Sequence, residues 1–274
     1  MGILVNNGCD ITLGADIIQT EDLYWNVTVM GSVLKNKVLK LTGDNSDIIS
    51  GNYIIRENEE INSFYLAKSA GVDPATGEQL YWAYKKDDDG NMIAGSEYIT
   101  NDATAAASSK YIFGSRIPDL YGSISTALKY KGFDFNVLFT YSIGGKVYDS
   151  IYNSLMEPSY VGQTYHVNAL RSWKKAGDIT DVPRTTTTTT TVACDRFLID
   201  ASYFAVKNIV LGYTLPESLL SKAKIRSVRF YLTADSPWLF THLKGMNPQA
   251  SFSGSTSYSY TPNRTFSIGA DFKF

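Results

Sequence analysis

The sequence contains neither a long apolar run nor a cluster of basic residues. No stretch of about 18 consecutive apolar residues occurs, which excludes an ordinary transmembrane helix but leaves a β-barrel crossing open. Charged residues make up 19% of the chain, the formal net charge is −2, and no Lys/Arg-rich segment is available to follow a phosphate backbone. We therefore expect no nucleic-acid partner.

Cysteine and histidine are also scarce. The two cysteines, Cys9 and Cys194, are far apart, and neither lies near a second cysteine or a histidine cluster, so neither a zinc site nor a disulfide framework is indicated. His166 and His242 fall in different predicted loops, and two ordinary histidines are favoured over a shared metal site. We expect no metal and no cofactor.

Catalytic motifs are absent as well. No nucleophile elbow is present, and the acidic run DDDGN at 87–91 has only the composition of a calcium loop. Such a loop requires a glutamate six residues beyond its glycine, where this sequence has Ser96, so a solvated turn is favoured. We therefore do not expect an enzyme and name no catalytic residue.

The sequence is rich in tyrosine and phenylalanine, with 19 and 13 residues, and these residues favour pleated sheets and membrane interfaces. Apolar and polar positions alternate along several segments, which is typical of strands with two different faces. At the end of the chain, the apolar face consists of Phe266, Ile268, Phe272 and Phe274. The pattern predicts seven strands, at 11–18, 25–33, 120–130, 133–143, 203–215, 225–234 and 264–274.

Two of these strands have features that bear on their facing. In the first, simple alternation places Ile17 on the face of Leu13 and puts Ile18 on the opposite face. The strand at 203–215 alternates poorly, so the pattern leaves its facing undefined.

The predicted connections alternate between short and long. Short links follow residue 20, residue 130 and residue 215, whereas the segments 36–118, 144–202 and 236–263 are long or intermediate. This layout is typical of outer-membrane barrels, which have short periplasmic turns and long outer loops. A soluble β-sandwich is the alternative. Strands of about 10 to 12 residues favour the barrel, because a tilted membrane crossing needs about 9 to 11.

Several short motifs follow one another in a fixed order along the chain. They are GVDPATG at 71–77, RIPDLYG at 116–122, YKGFDF at 130–135, DRFLIDASY at 195–203, KNIVLGYTLP at 207–216, GMNP at 245–248 and RTFSIGADFKF at 264–274. Together they resemble the C-terminal third of SusC/RagA-type TonB-dependent transporters of the Bacteroidetes outer membrane. The resemblance covers essentially the whole chain, and its strength lies in the order of the motifs, since each one alone is weak.

The resemblance implies an all-β fold, with residues 1–274 forming the C-terminal part of a large antiparallel transmembrane β-barrel of about 22 strands. Seven strands cannot close such a barrel, so we expect the plug domain and the rest of the wall outside this sequence. The segment 1–7 has no secretion-signal pattern. The run of threonines at 185–191 is expected to be a solvated part of an outer loop.

The resemblance also implies an activity and partners. The intact protein would import oligosaccharides or peptides across the outer membrane of a Gram-negative bacterium. A SusD-like surface lipoprotein would cover its outer loops, the TonB complex would act through the N-terminal part, and lipid would surround the wall. A glycan-binding β-sandwich, soluble or surface-anchored, and a passive outer-membrane channel are the alternatives.

Aromatic residues concentrate in the predicted outer loops. Such side chains stack on sugar rings or peptide side chains and lose little conformational freedom when ordered, so we name them as candidate substrate or lid contacts. Packing of the loops against one another is the favoured alternative, because loops of this length need small cores of their own. The residues are Tyr81, Trp82, Tyr84, Tyr148, Tyr152, Tyr160, Tyr165 and Trp173.

Overall fold

The computed structural model describes most of the chain as β structure. The described residues are 2–42, 47–156, 162, 164–186, 191–220, 225–242, 247–250, 254–256 and 262–274. The strands are β1 Ile3–Gln19, β2 Leu23–Lys40, β3 Ile48–Ser50, β4 Tyr53–Ile55, β5 Ser63–Leu66, β6 Lys68–Val72, β7 Gln79–Ala83, β8 Tyr98–Thr100, β9 Tyr111–Ile112, β10 Leu120–Tyr130, β11 Phe133–Ile143, β12 Lys146–Tyr148, β13 Leu198–Asp200, β14 Tyr203–Thr214, β15 Ser227–Thr241 and β16 Thr265–Lys273.

Helices are short and lie in the connections. The α-helices are α1 Ala103–Ser108, α2 Ser150–Met156 and α3 Glu217–Leu220, and 3-10 turns occur at Val167–Arg171, Asp195–Phe197 and Pro248–Ala250. In the part of the chain that the structure describes, no helix has the length and apolar character needed to cross a membrane.

Seven long strands form one antiparallel sheet in the order β1-β2-β10-β11-β14-β15-β16. These are the seven predicted strands, and β10 and β11 have the predicted bounds. Tight links at residues 20–22 and 131–132, and a longer link at 215–226 that contains α3, join strands at one end of the sheet, which we call the turn end. The long segments after β2, β11 and β15 leave from the other, the loop end. The all-β prediction is confirmed.

One face of the sheet is a continuous apolar surface, here called the outer face. Residues directly opposite one another in the register point to the same side. One such row crosses all seven strands and consists of Ile18, Trp25, Leu128, Phe135, Leu211, Leu232 and Ile268. In the last two strands it stays open to the surroundings, with Leu232 52% and Ile268 81% exposed. A β-sandwich would cover this face with a second sheet, whereas a barrel wall turns it to lipid.

The opposite, inner face is polar and carries charges near the turn end. Arg229 donates from Nε and Nη2 to the two carboxylate oxygens of Asp134, at 2.9 and 2.7 Å, and from Nη1 to Asp271 at 3.5 Å. Gly212 leaves room for this pair, because a Cβ there would lie 2.4 Å from Asp134 Oδ1. The inner face is thus suited to water or polar protein rather than to lipid.

Irregularities in the register explain where simple alternation failed. In β1 the register shifts between Asp16 and Ile18, so Ile17 is the extra residue and Ile18 lies opposite Trp25 on the outer face. The predicted facing of Ile18 is therefore wrong. A single extra residue in one strand moves every later side chain to the other side, which period-two counting cannot anticipate.

A second irregularity lies in β14 and β15. Lys207 has no opposite residue, which brings both Phe204 before it and Leu211 after it to the outer face. In β15 the partner bulge contains Ser236, with φ 51°, and the fully buried Pro237. We expected this strand to end at residue 234, yet it continues to Thr241. A proline lacks the N–H that regular strand pairing needs, but at a bulge this N–H is not required, so the strand continues past Pro237.

Strands β1 and β2 are longer than predicted and extend beyond the sheet at the loop end. Val38 exchanges backbone hydrogen bonds with residues 58 and 59, and the Asn36 side chain accepts from the N–H of Ile61 at 3.0 Å. The extension of β2 is therefore part of the packed structure formed by the long segments, which explains why its sequence no longer alternates like a membrane strand.

Candidate functional site

The two long segments at the loop end pack into one structure, here called the loop assembly, made of described residues in 47–119 and 144–202. Ala67 donates to Ala193 O and accepts from Asp195 N, both at 3.1 Å, which joins the two segments directly. Their common core consists of Phe64, Leu66, Ala67, Tyr81, Ala106, Tyr148, Met156, Val182, Cys194 and Phe197. Loops of this length, predicted from sequence as connections, thus have a core of their own.

The predicted aromatic contacts divide between this core and the surface. Tyr81 and Tyr148 are each only 2% exposed. Tyr152 packs edge-on against His166 and Phe197, with ring centroids 4.8 and 5.8 Å away. Tyr165 lines a small cavity beside the core, whereas Trp82 and Tyr84 are half-exposed. Tyr160 lies outside the described residues.

A contact between Trp173 and the turn at 73–78 connects the two long segments. Trp173 Nε1 donates to Pro74 O at 2.9 Å, and the N–H of Gly177 donates to the same oxygen at 2.8 Å. The N–H of Arg184 donates to Gly77 O at 2.8 Å. The indole ring covers Gly77 so closely that a Cβ on this glycine would lie 2.4 Å from it. The GVDPATG motif therefore serves as the surface on which the second segment packs.

Replacing Gly77 with alanine in the full-length protein is expected to separate the two segments. Gly77 and Gly90 both have positive φ, 74° and 83°, so Gly90→Ala carries a similar backbone cost of about 1 kcal/mol but meets no atom within 4 Å. Limited proteolysis of outer-membrane fractions should show faster cleavage of the loop assembly in Gly77→Ala than in Gly90→Ala. Equal cleavage rates would show that the Trp173 contact does not hold the segments together.

A cavity of about 50 Å³ lies beside the core, between residues 77–81 and the second segment. It has room for only a few water molecules, whereas ligand sites occupy about 300 Å³ or more. Cys194 forms part of its wall, and burial raises the pKa of this thiol to about 11, so the group stays protonated near neutral pH. The cavity is therefore a packing feature and not a substrate pocket.

A cationic–aromatic face lies on the side of the loop assembly away from the core, and consists of Arg56, Tyr65, Lys68, Trp82, Tyr84, Lys110 and Tyr111. All seven side chains are half-exposed. Burial raises the pKa of Tyr84 to about 12 and, together with a hydrogen bond to Glu97, raises that of Tyr111, so both phenols stay neutral. Sequence reasoning found only Trp82 and Tyr84 here, because strand pairings bring the other residues to this face from distant positions.

The acidic run at 87–91 and His166, which the sequence offered as possible metal ligands, form local hydrogen bonds instead. The carboxylate of Asp87 accepts from the N–H groups of Asp89 and Asn91, at 3.1 and 2.7 Å, and closes the acidic turn. His166 Nδ1 accepts from Asn168 N at 3.1 Å. In the described ranges, no group of three or more His, Cys, Asp or Glu residues could hold a metal ion.

The sheet, with its apolar outer face, polar inner face, tight turns at one end and packed loops at the other, is a segment of β-barrel wall. No protein-family model matches the chain. It is 29% identical over its whole length to the TonB-dependent receptor P3 of Formosa agariphila, and 24% identical to the TonB-dependent receptor SusC of Bacteroides thetaiotaomicron. It covers 29% and 27% of those two proteins.

The fold comparison agrees. Over its whole length the chain matches 30% of a chain in a structure of the RagAB peptide transporter, with TM-score 0.85 and 26% identity. A closed–closed structure of the RagAB peptide importer gives TM-score 0.86 at 24% identity, also over 30% of that chain. These matches fit a C-terminal portion of a SusC/RagA-type protein and confirm the resemblance found in the motifs.

Proposed function

We propose that this chain forms wall and outer loops of a TonB-dependent importer that carries oligosaccharides or peptides across the outer membrane. The observation that carries the proposal is the seven-strand row of apolar side chains on the outer face, set against the ion-paired inner face of the same sheet. Such a sheet is suited to lipid on one side and a polar interior on the other. The relatives are receptors and transporters, which agrees with a role other than catalysis.

The remaining parts of the importer lie outside this sequence. Both edges of the sheet, β1 and β16, have backbone groups that only further strands of a closed wall can satisfy in lipid. We propose that those strands, in a barrel of about 22, and a plug domain complete the protein. Arg229 and its two carboxylate partners would then face the plug near the periplasmic side.

A SusD-like lipoprotein is the proposed partner at the outer side. The RagAB peptide importer, to which the chain is similar, has closed–closed and open–open states. The loop assembly, with its own core, would provide a firm surface for a covering protein. Which of the aromatic loop residues contact substrate or lipoprotein stays a prediction.

The import proposal is tested by uptake. Cells lacking the full-length protein should no longer take up a class of labelled oligosaccharides or peptides that wild-type cells accumulate, and disabling TonB should have the same effect. A passive channel would keep its uptake when TonB is disabled. Undiminished uptake of every oligosaccharide and peptide class without the protein would refute the import role.

The proposed topology places both long segments outside the cell. An epitope tag inserted beside Asp88, in an exposed acidic turn of the first segment, should be reached by antibody on intact cells, because every long connection leaves from the loop end. A tag between Lys131 and Gly132, at the turn end, should be reached only after the outer membrane is broken. The reverse pattern would invert the topology.

A further inference from the structure

We propose that the cationic–aromatic face binds sugar chains that bear carboxylate or sulfate groups. This inference rests on the proposed import function, because it names the substrate class that the outer loops would take up. Its central residues are Tyr65, Lys68, Trp82, Lys110 and Tyr111, which strands β5, β6, β7 and β9 bring together.

The rings and the cations of this face are interleaved. Lys68 Nζ lies 5.3 Å from the ring centroids of both Trp82 and Tyr111. Lys110 Nζ and Arg56 Cζ lie 5.7 and 5.9 Å from the Tyr65 ring. Cation–π contacts of this kind hold the long side chains in place, so the charges are fixed relative to the rings before any ligand arrives.

Part of the positive charge has no ion-pair partner. Arg56 forms a bidentate pair with Asp47, with a closest distance of 2.5 Å. Neither Lys68 nor Lys110 takes part in a salt bridge with any residue that the structure describes. An ammonium group without a salt-bridge partner can donate hydrogen bonds to carboxylate or sulfate oxygens.

Two carboxylates of the loop assembly, Asp195 and Glu97, accept hydrogen bonds from neutral groups. Asp195 accepts the N–H of Ser69 at 2.7 Å, and Glu97 accepts the hydroxyl of Tyr111 at 3.0 Å. Neither carboxylate lies within salt-bridge distance of Lys68 or Lys110. Neither lysine is therefore in a salt bridge with the described residues, and both ammonium groups can donate hydrogen bonds to an anionic ligand.

The placement of the charges over ring faces favours sugars over acidic peptides. An extended peptide gains most of its affinity from main-chain hydrogen bonds along a free strand edge, whereas this face is made of side chains that project from β5, β6, β7 and residues 110 and 111. The lysines instead lie beside the rings of Trp82, Tyr111 and Tyr65. A sugar ring that packs against the exposed part of one of these rings brings its acidic substituent within reach of an ammonium group. A sugar chain in which each ring, or every second ring, has an acidic substituent matches this arrangement of aromatic rings and ammonium groups.

Binding to the purified full-length protein in detergent tests the inference, with titration calorimetry of oligogalacturonate and chondroitin sulfate oligosaccharides. Methyl-esterified oligogalacturonate keeps the rings but removes the charge, and polyglutamate supplies charge without rings. The double variant Lys68→Gln/Lys110→Gln should weaken acidic-sugar binding about tenfold or more, since hydrogen bonds to charged groups contribute that much. Lys175→Gln, at an exposed lysine of the second segment, is the matched control.

The inference requires that at least one acidic sugar binds, that its affinity falls with added salt, and that only the double variant weakens it. It is overturned if neither acidic sugar binds, if the ester binds equally well, or if the double variant binds like wild type. Polyglutamate binding that depends on the same lysines would reassign the face to acidic peptides.

Unchanged outer-membrane levels of each variant show that folding is intact. Loss of TonB-dependent uptake in the deletion strain remains a separate test of the import role.

Discussion

Deleting residues 272–274 from the full-length protein is expected to leave it unassembled and degraded in the periplasm. Phe272 lies opposite Val228, and Lys273 O accepts the N–H of Arg226 at 2.8 Å, so the deletion removes the end of the β15–β16 pairing. In a closed barrel β16 must also pair with another wall strand, and each backbone group left unpaired in hydrocarbon costs several kcal/mol. Immunoblots of outer-membrane and periplasmic fractions measure the outcome.

Lys273→Ala is the control for this deletion, because it keeps the backbone and the apolar residues and changes only a side chain that points away from the outer face. We expect it to assemble at the wild-type level. Normal outer-membrane levels and normal uptake in the truncated protein would contradict the assignment of β16 as a wall strand that closes the barrel.

Ile268→Arg is expected to destabilise the full-length protein by about 2 to 4 kcal/mol, the cost of an arginine near the bilayer midplane on the lipid side of a barrel. Ile268 lies near the middle of β16, opposite Leu232, and 81% of its surface is open on the outer face. Equilibrium unfolding by denaturant in lipid bilayers measures the change.

The adjacent Ser267→Arg introduces the same side chain on the inner face, opposite Thr233. Because this face meets polar surroundings, we expect a change of about 1 kcal/mol or less. Equal destabilisation by the two substitutions would show that the two faces do not meet different environments.

The strands of the wall were predictable from sequence because the signals for them, apolar–polar alternation and tight turns, lie in neighbouring residues. In strands without a bulge, alternation of apolar and polar residues records directly which positions lie on the apolar outer face, and the tight Lys131-Gly132 turn fixed the β10–β11 hairpin to the residue. The extensions of β1 and β2 were missed for the complementary reason. Beyond the membrane both of their faces meet protein or water, and the alternation that marks a strand disappears.

Bulges limited the remaining strand assignments. The poor alternation of β14 comes from the unpaired Lys207, and the early predicted end of β15 comes from Pro237, which lies at the partner bulge. Either residue taken alone indicates a break in the strand, and only the pairing of the two strands shows that both fit one bend of a continuous wall.

The candidate sites were harder to predict because their residues come together only through tertiary contacts. Tyr81 and Trp82 are neighbours in sequence and both aromatic, yet strand pleating sends the first into the core and the second to the cationic–aromatic face. Lys68 and Tyr111 meet only because β5 pairs with β9 and β6 with β7. No local sequence pattern indicates such a contact, since it depends on the way in which the long connections fold back on themselves.

The most direct test of the account is the environment of single spin labels along β15 and β16 of the full-length protein in lipid. Labels at Leu232→Cys and Ile268→Cys are predicted to be accessible to oxygen dissolved in the bilayer, whereas labels at the neighbours Thr233→Cys and Ser267→Cys are predicted to be accessible to a water-soluble nickel chelate. Preferential access of the nickel chelate at positions 232 and 268 would contradict the claim that this sheet is a barrel wall with its apolar face in the membrane.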